Sequence, residues 1–322
     1  MFNRYWREYP WYFQLFQYII FIFVFASLFG GVVAPLLVPF LTGETGLIKP
    51  GASATPAEVN AMLWMQAIGH FGMFTLPALV FAYLTHPQPT EYLGLRRPGR
   101  APHWGIVVVL TLGAIPVILA LGGIMRLFDL GETANKLHAQ TEQMMKTMMD
   151  IRSSGRLMWS LFVMAVLPAV GEELMFRGVL MRFMARRSRT MAFPVLVSAV
   201  MFALFHITNP YGLVPIFGMG VMLALIYYWT RSLWCSMVAH FLFNASQILL
   251  YYLANRNAAV KAFMDAESLP GGWIAAGAVF FALGVWLLWR GRTPLPQPGW
   301  AADFSPEEVA ARDADREQPT RM

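Results

Sequence analysis

Glu172-Glu173-x-x-x-Arg177, Phe202-x-x-x-His206 and His240-x-x-x-Asn244 stand in three successive apolar stretches of this chain. Ionisable side chains at the centre of a membrane span cost about 3 kcal/mol or more each, so they face a protein interior and serve a function there. Residues four apart share a helix face, so Glu173 can pair with Arg177, Phe202 aligns with His206, and His240 aligns with Asn244. Glu172 is rotated by about 100° from Glu173 and is left without that partner. If the three faces converge, they enclose one free carboxylate, two imidazoles and a carboxamide.

That set suits peptide hydrolysis. A carboxylate desolvated in a helical bundle can act as a general base on water. A histidine beside it can orient the water or pass the proton to the leaving amine. A second histidine and an amide can donate hydrogen bonds to a developing oxyanion, where low dielectric strengthens each donor. Glu172, His206 and His240 would equally serve as zinc ligands with an open water position. The soluble zinc-protease pattern H-E-x-x-H is absent. His70, isolated in an earlier span, reads as a histidine satisfying a backbone carbonyl.

The elements that must position these residues are membrane helices. Of 322 residues, 57% are hydrophobic and 13% charged, about half the charged share of a soluble domain. Eight apolar segments are predicted, at 17–41, 61–84, 104–125, 157–181, 191–207, 213–229, 232–253 and 273–289; about 20 residues suffice to cross the hydrocarbon. The expected fold is therefore an all-α, polytopic transmembrane bundle of about eight spans with an intramembrane polar cavity. The fifth and sixth segments are the shortest.

The net charge of +6 excludes little by itself, but arginines crowd the short loops of one side of the bundle while the opposite loops are mixed in sign, as with Glu44, Lys49, Glu58, Arg256, Lys261, Asp265 and Glu267, which argues for topology and against nucleic acid. Arg4, Arg7, Arg96, Arg97, Arg100, Arg182, Arg186, Arg187, Arg189, Arg231, Arg290 and Arg292 all fall on that side, so both termini are expected in the cytoplasm and the protein in the cell membrane. The single cysteine, Cys235, forms no internal disulfide.

The chain divides into N-terminal spans over 1–156, a core over 157–253, a last span within 254–293 and a polar tail over 294–322. Residues 5–13 read as an interfacial anchor. Residues 133–150 place Leu137, Met144, Met145, Met148 and Met149 near helical spacing and predict an amphipathic helix on the outer surface. Ser305 is a candidate helix start in the tail.

The three polar stretches resemble the signature of the CPBP family, the CAAX-protease and bacteriocin-processing membrane proteins, similar to type II CAAX prenyl proteases. The likeness runs over about 157–253. It implies an intramembrane endopeptidase acting on a peptide or protein substrate, with Glu172 activating water together with His206, and His240 and Asn244 forming the oxyanion site. Glu173 and Arg177 would brace the first motif, beside Phe202. The family has been described both as zinc metalloproteases and as metal-independent glutamate proteases; the charge pattern here makes chemical sense without a cofactor. The competing reading is a non-enzymatic membrane protein on the same fold: a transporter, an immunity protein or a scaffold. On straight, upright helices the three motifs lie at different depths, so some helix must tilt, break or shift, with Pro194, Pro210 and Gly212 as candidate places.

Overall fold

The computed structural model describes residues 6, 9–44, 54–86, 88–185, 188, 190–264 and 269–294. The tail with Ser305, most of the predicted anchor's first residues, and Arg186, Arg187 and Arg189 lie outside them. Among the described residues every regular element is helical. The long helices are α1 (Trp11–Thr42), α2 (Pro56–Thr85), α3 (His103–Met125), α4 (Glu132–Met148), α5 (Ser154–Ala185), α6 (Ala192–Leu204), α7 (Leu213–Thr230), α8 (Leu233–Ala254), the short α9 (Ala258–Met264) and α10 (Gly271–Arg290). Seven are long and apolar enough to span. The fifth predicted segment, 191–207, folds as α6, a helix of 13 residues and so about 20 Å long.

Lipid-facing and core-facing helices differ as the sequence demands. In α1, Phe23 and Phe40 are among many exposed apolar side chains, while Tyr18 packs inward on Phe81. Helix α5 is the opposite case: from Gly171 to Val179 every residue is buried. It is surrounded by α2, α6, α7 and α8.

Four stretches inside the long helices widen to π geometry: Phe29–Val33, Phe71–Thr75, Phe162–Val166 and Leu174–Leu180. The first three each end two residues before a proline (Pro35, Pro77, Pro168). A proline ring clashes with the carbonyl four residues back, and in all three cases that carbonyl lies inside the widened stretch. Pro116 in α3, by contrast, sits in regular helix. No proline follows Leu174–Leu180, the stretch after the paired glutamates. There the Phe176 carbonyl accepts both the Met181 N–H and the Ser198 hydroxyl, the latter at 3.1 Å.

The arginine-rich end is a knit layer. The Leu233 N–H donates to the Gly94 carbonyl at 2.9 Å, the Ser232 hydroxyl to the Arg96 carbonyl at 2.6 Å, and Arg96 Nε to the Arg231 carbonyl at 3.1 Å. Arg231 closes α7 in the left-handed region at φ 60°, an uncommon conformation for a side chain of this size. Gly94 turns the partner loop at φ 73°. Ser232 and Leu233 are fully buried, so α8 begins inside the protein.

At the other end, α4 forms as predicted, but its methionines divide. Met144 is exposed, whereas Met145, Met148 and Met149 pack into apolar clusters beneath the helix. The helix is pinned to the turn after α6: Thr141 Oγ1 donates to the Thr208 carbonyl at 2.7 Å, His138 pairs with Asn209 at 3.1 Å, and Tyr211 bonds Asn135. A cavity of about 560 Å³ opens beside α4, lined in part by Glu142, Lys146, Asp150 and Arg152. It does not adjoin the polar side chains of α5.

Helix α10 lies along α3 at glycine-to-helix distance. A Cβ at Gly284 would come within 2.6 Å of Leu110 Cβ, and one at Gly113 within 2.5 Å of the Phe281 nitrogen. Small residues allow such close packing where lipid supplies no hydrophobic drive. Gly284→Leu is expected to cost about 1–3 kcal/mol by overpacking. Thermal unfolding in detergent checks this, and an unchanged midpoint would contradict it.

Candidate active site

Glu172 and Glu173 sit in the last regular turn of α5 before its widened stretch, and their carboxylates diverge as the spacing predicts. Glu173 is fully buried and held from three directions. Arg177 Nη1 donates to its Oε1 at 2.6 Å, Ser236 Oγ to its Oε2 at 2.5 Å, and His240 Nδ1 to its Oε1 at 3.0 Å. Arg177 continues to the Gly220 carbonyl of α7 at 2.9 Å, and its guanidinium covers the Phe202 ring at 4.6 Å. One buried ion pair thus ties α5 to α6, α7 and α8.

Glu172 faces the other way. Its Oε1 lies 3.2 Å from His70 Nε2, and its Oε2 lies 3.8 Å from His240 Nε2. Oε2 is buried and has no hydrogen-bond partner. The expectation for His70 is therefore corrected: it bonds no carbonyl but the Glu172 carboxylate, with its ring stacked on Phe74 at 4.5 Å.

His206 lies in the turn that follows α6. The Phe202 carbonyl, near the helix end, would ordinarily accept the His206 N–H, but that N–H turns to Ala203 at 2.9 Å. The His206 ring takes its place, Nδ1 donating to the Phe202 carbonyl at 2.9 Å; histidine commonly satisfies the last carbonyls of a helix in this way. With Nδ1 engaged in both His206 and His240, each ring has Nε2 left for chemistry. The Phe202 ring, edge-on to His240 at 5.7 Å and 5.1 Å from His206, separates the two imidazoles.

Of the two candidate break regions, Pro194 leaves its helix intact, whereas Pro210 and Gly212 follow a helix end. Pro194 stands in the first turn of α6, and Pro210–Gly212 form a short 3-10 turn. Helix α6 stops at Leu204, so His206 lies in the turn that is bonded to α4, and α8 starts at the fully buried Leu233, two turns before His240. Asn244 is half-buried, one turn beyond His240. Among the described residues it makes no hydrogen bond to the other site side chains.

One contributor escaped the sequence reading and another was given a different role in it. Ser236 precedes His240 by four residues, so its place on the same face was available as a signal. His70 is 102 residues from its partner, and no local pattern marks it; its only flag is an ionisable ring within a span. As for zinc, no group of three or more His, Cys, Asp or Glu side chains among the described residues is arranged to hold a metal ion.

Gly171 allows α2 to approach. A Cβ there would lie 2.6 Å from Thr75 Oγ1, 2.9 Å from His70 Cε1 and 3.1 Å from Phe74 Cβ. Gly171→Ala is expected to push α2 away from α5, at a cost of about 1–3 kcal/mol. Thermal unfolding in detergent checks this, and an unchanged midpoint would refute it.

Residues 154–246 match the family model described as type II CAAX prenyl endopeptidase Rce1-like. The chain is also similar to the membrane-embedded CAAX protease MroQ of Staphylococcus aureus (strain USA300), 32% identical over 113 residues, which cover 33% of this chain and 44% of that protein. The match thus spans less than half of the curated relative's length. No solved structure matches. The segment holding Glu172, Glu173, Arg177, His206, Ser236, His240 and Asn244 is thus similar to type II CAAX prenyl endopeptidases, and it is set in an integral membrane bundle whose flanking helices extend beyond it.

Proposed function

We propose that this protein is an intramembrane endopeptidase that hydrolyses a peptide bond with a water activated by Glu172. The observation that carries the reading is the Glu172 carboxylate itself: buried, unpaired by any Lys or Arg among the described residues, and with Oε2 free of hydrogen bonds there. Oε2 accepts a proton from water as the water oxygen bonds to the scissile carbonyl carbon. The proton then passes to the leaving amine as the C–N bond breaks, with His206 Nε2 as the relay. The oxyanion develops beside His240 and Asn244. With Nδ1 donating to Glu173, His240 can donate from Nε2 only as an imidazolium, and Glu173 stabilises the positive charge that forms. Glu173 and Arg177 hold this ring in place.

Substrate is expected to be a membrane-associated peptide or protein, entering where the turn after α6 leaves His206 half-exposed. By the arginine distribution, the knit end faces the cytoplasm, with both termini there and the protein in the cell membrane. The test is cleavage of a fluorogenic peptide ending in a CAAX sequence, with and without a prenyl group, by the full chain in detergent. The reading predicts cleavage that is lost in Glu172→Gln and kept under chelation. Equal cleavage by wild type and Glu172→Gln would overturn it, and chelator loss restored by zinc would reassign water activation to a metal.

A further inference from the structure

His70 reaches the site from α2, outside the matched segment 154–246. Its neighbours constrain it closely. The ring is 6% exposed, lies flat on Phe74 and passes over the bare Cα of Gly171. It stands at the junction between the regular part of α2 and the widened stretch Phe71–Thr75. Nδ1 has no hydrogen-bond partner, while Nε2 faces a carboxylate oxygen at 3.2 Å. An ionised carboxylate only accepts, so Nε2 carries the hydrogen and donates to Oε1.

This bond makes two otherwise equivalent oxygens different. The terminal torsion of glutamate is broad and nearly two-fold, so a carboxylate without a partner presents either oxygen in a range of planes. A donor on Oε1 fixes the plane and leaves Oε2 as the oxygen that faces His240. We propose that His70 is a positioning residue: it locks the Glu172 carboxylate so that Oε2 is the atom that takes the proton from water. The inference rests on the hydrolytic reading above. It adds a site residue from a helix outside the family core, and α2 becomes part of the catalytic apparatus.

The experiment compares His70→Ala, His70→Leu and His70→Gln in the full chain, using the peptide that wild type cleaves and Glu172→Gln as the zero. Misplacing a reacting group by about 1 Å can cost on the order of 100-fold. Both Ala and Leu variants should therefore lose about 10- to 100-fold in kcat with KM unchanged. His70→Gln can present an amide N–H to the same oxygen and should recover most of that loss. His70→Leu fills the space over Phe74, so it keeps the comparison informative should His70→Ala fail to fold. A purely structural role would instead lower stability in all three and spare kcat in the folded fraction. Wild-type kcat in either His70→Ala or His70→Leu, or a folded His70→Gln as poor as His70→Leu, overturns the proposal alone. A wild-type protein that cleaves nothing overturns the hydrolytic reading and this proposal with it.

Discussion

Glu172→Gln should lower kcat by about 10²- to 10⁴-fold, the range lost when a general base is removed, while the unfolding midpoint stays near that of wild type. The geometry separates the two effects. Glutamine keeps the size of glutamate, and its amide oxygen can still accept from His70 Nε2, which now lies 3.2 Å from Oε1. The packing against Gly171 and Phe74 is untouched. What disappears is a group able to take a proton at Oε2, the position with no hydrogen-bond partner. The bundle should therefore purify normally and bind peptide with little change in KM. A variant that unfolds would mean that the carboxylate charge is structural, and one that cleaves at full rate would remove Glu172 from the chemistry.

The second large effect concerns Arg177. Its guanidinium is fully buried, with the Glu173 pair at 2.6 Å, the Gly220 carbonyl at 2.9 Å and the Phe202 face at 4.6 Å. Removing one member of a buried ion pair leaves the other as an uncompensated charge, which typically costs 3–5 kcal/mol, about the same as is expected for Arg177→Ala. Much of this is the penalty of leaving Glu173 unpaired. The double variant Glu173→Gln with Arg177→Met should then be more stable than Arg177→Ala alone, yet remain poorly active because His240 loses its carboxylate anchor. Thermal unfolding of the three proteins in detergent gives the comparison. A loss below about 1 kcal/mol in Arg177→Ala would place the pair in the class of exposed salt bridges and contradict its burial.

Much of this was legible in the residues because helical spacing is local. Four-residue steps placed Glu173 on Arg177 and Phe202 on His206 correctly, and the same rule left Glu172 facing elsewhere. Apolar runs located the long spans, since hydrocarbon thickness sets their length. Depth was harder to read. It depends on where each helix meets the interface, and α8 begins under a layer of loop whose bonds join residues far apart in sequence, such as Leu233 to Gly94. The short α6 was harder still, because its end is set by a turn bonded to α4 at Thr208 and Asn209. His70 could be recognised only once α2 and α5 were seen to touch at Gly171.

The widened turns bear on how such a protein can change. A π turn holds one more residue than the α turn it replaces, so the helix beyond it is rotated relative to the helix before it. In α2 and α5 these turns adjoin His70 and Glu172. Each helix can therefore present one stripe to lipid and an independently set stripe to its neighbours, joined by a flexible register. Drift in the lipid-facing half, where almost any apolar side chain serves, need not turn the reactive half. Membrane fit and chemistry are thereby separable within a single helix.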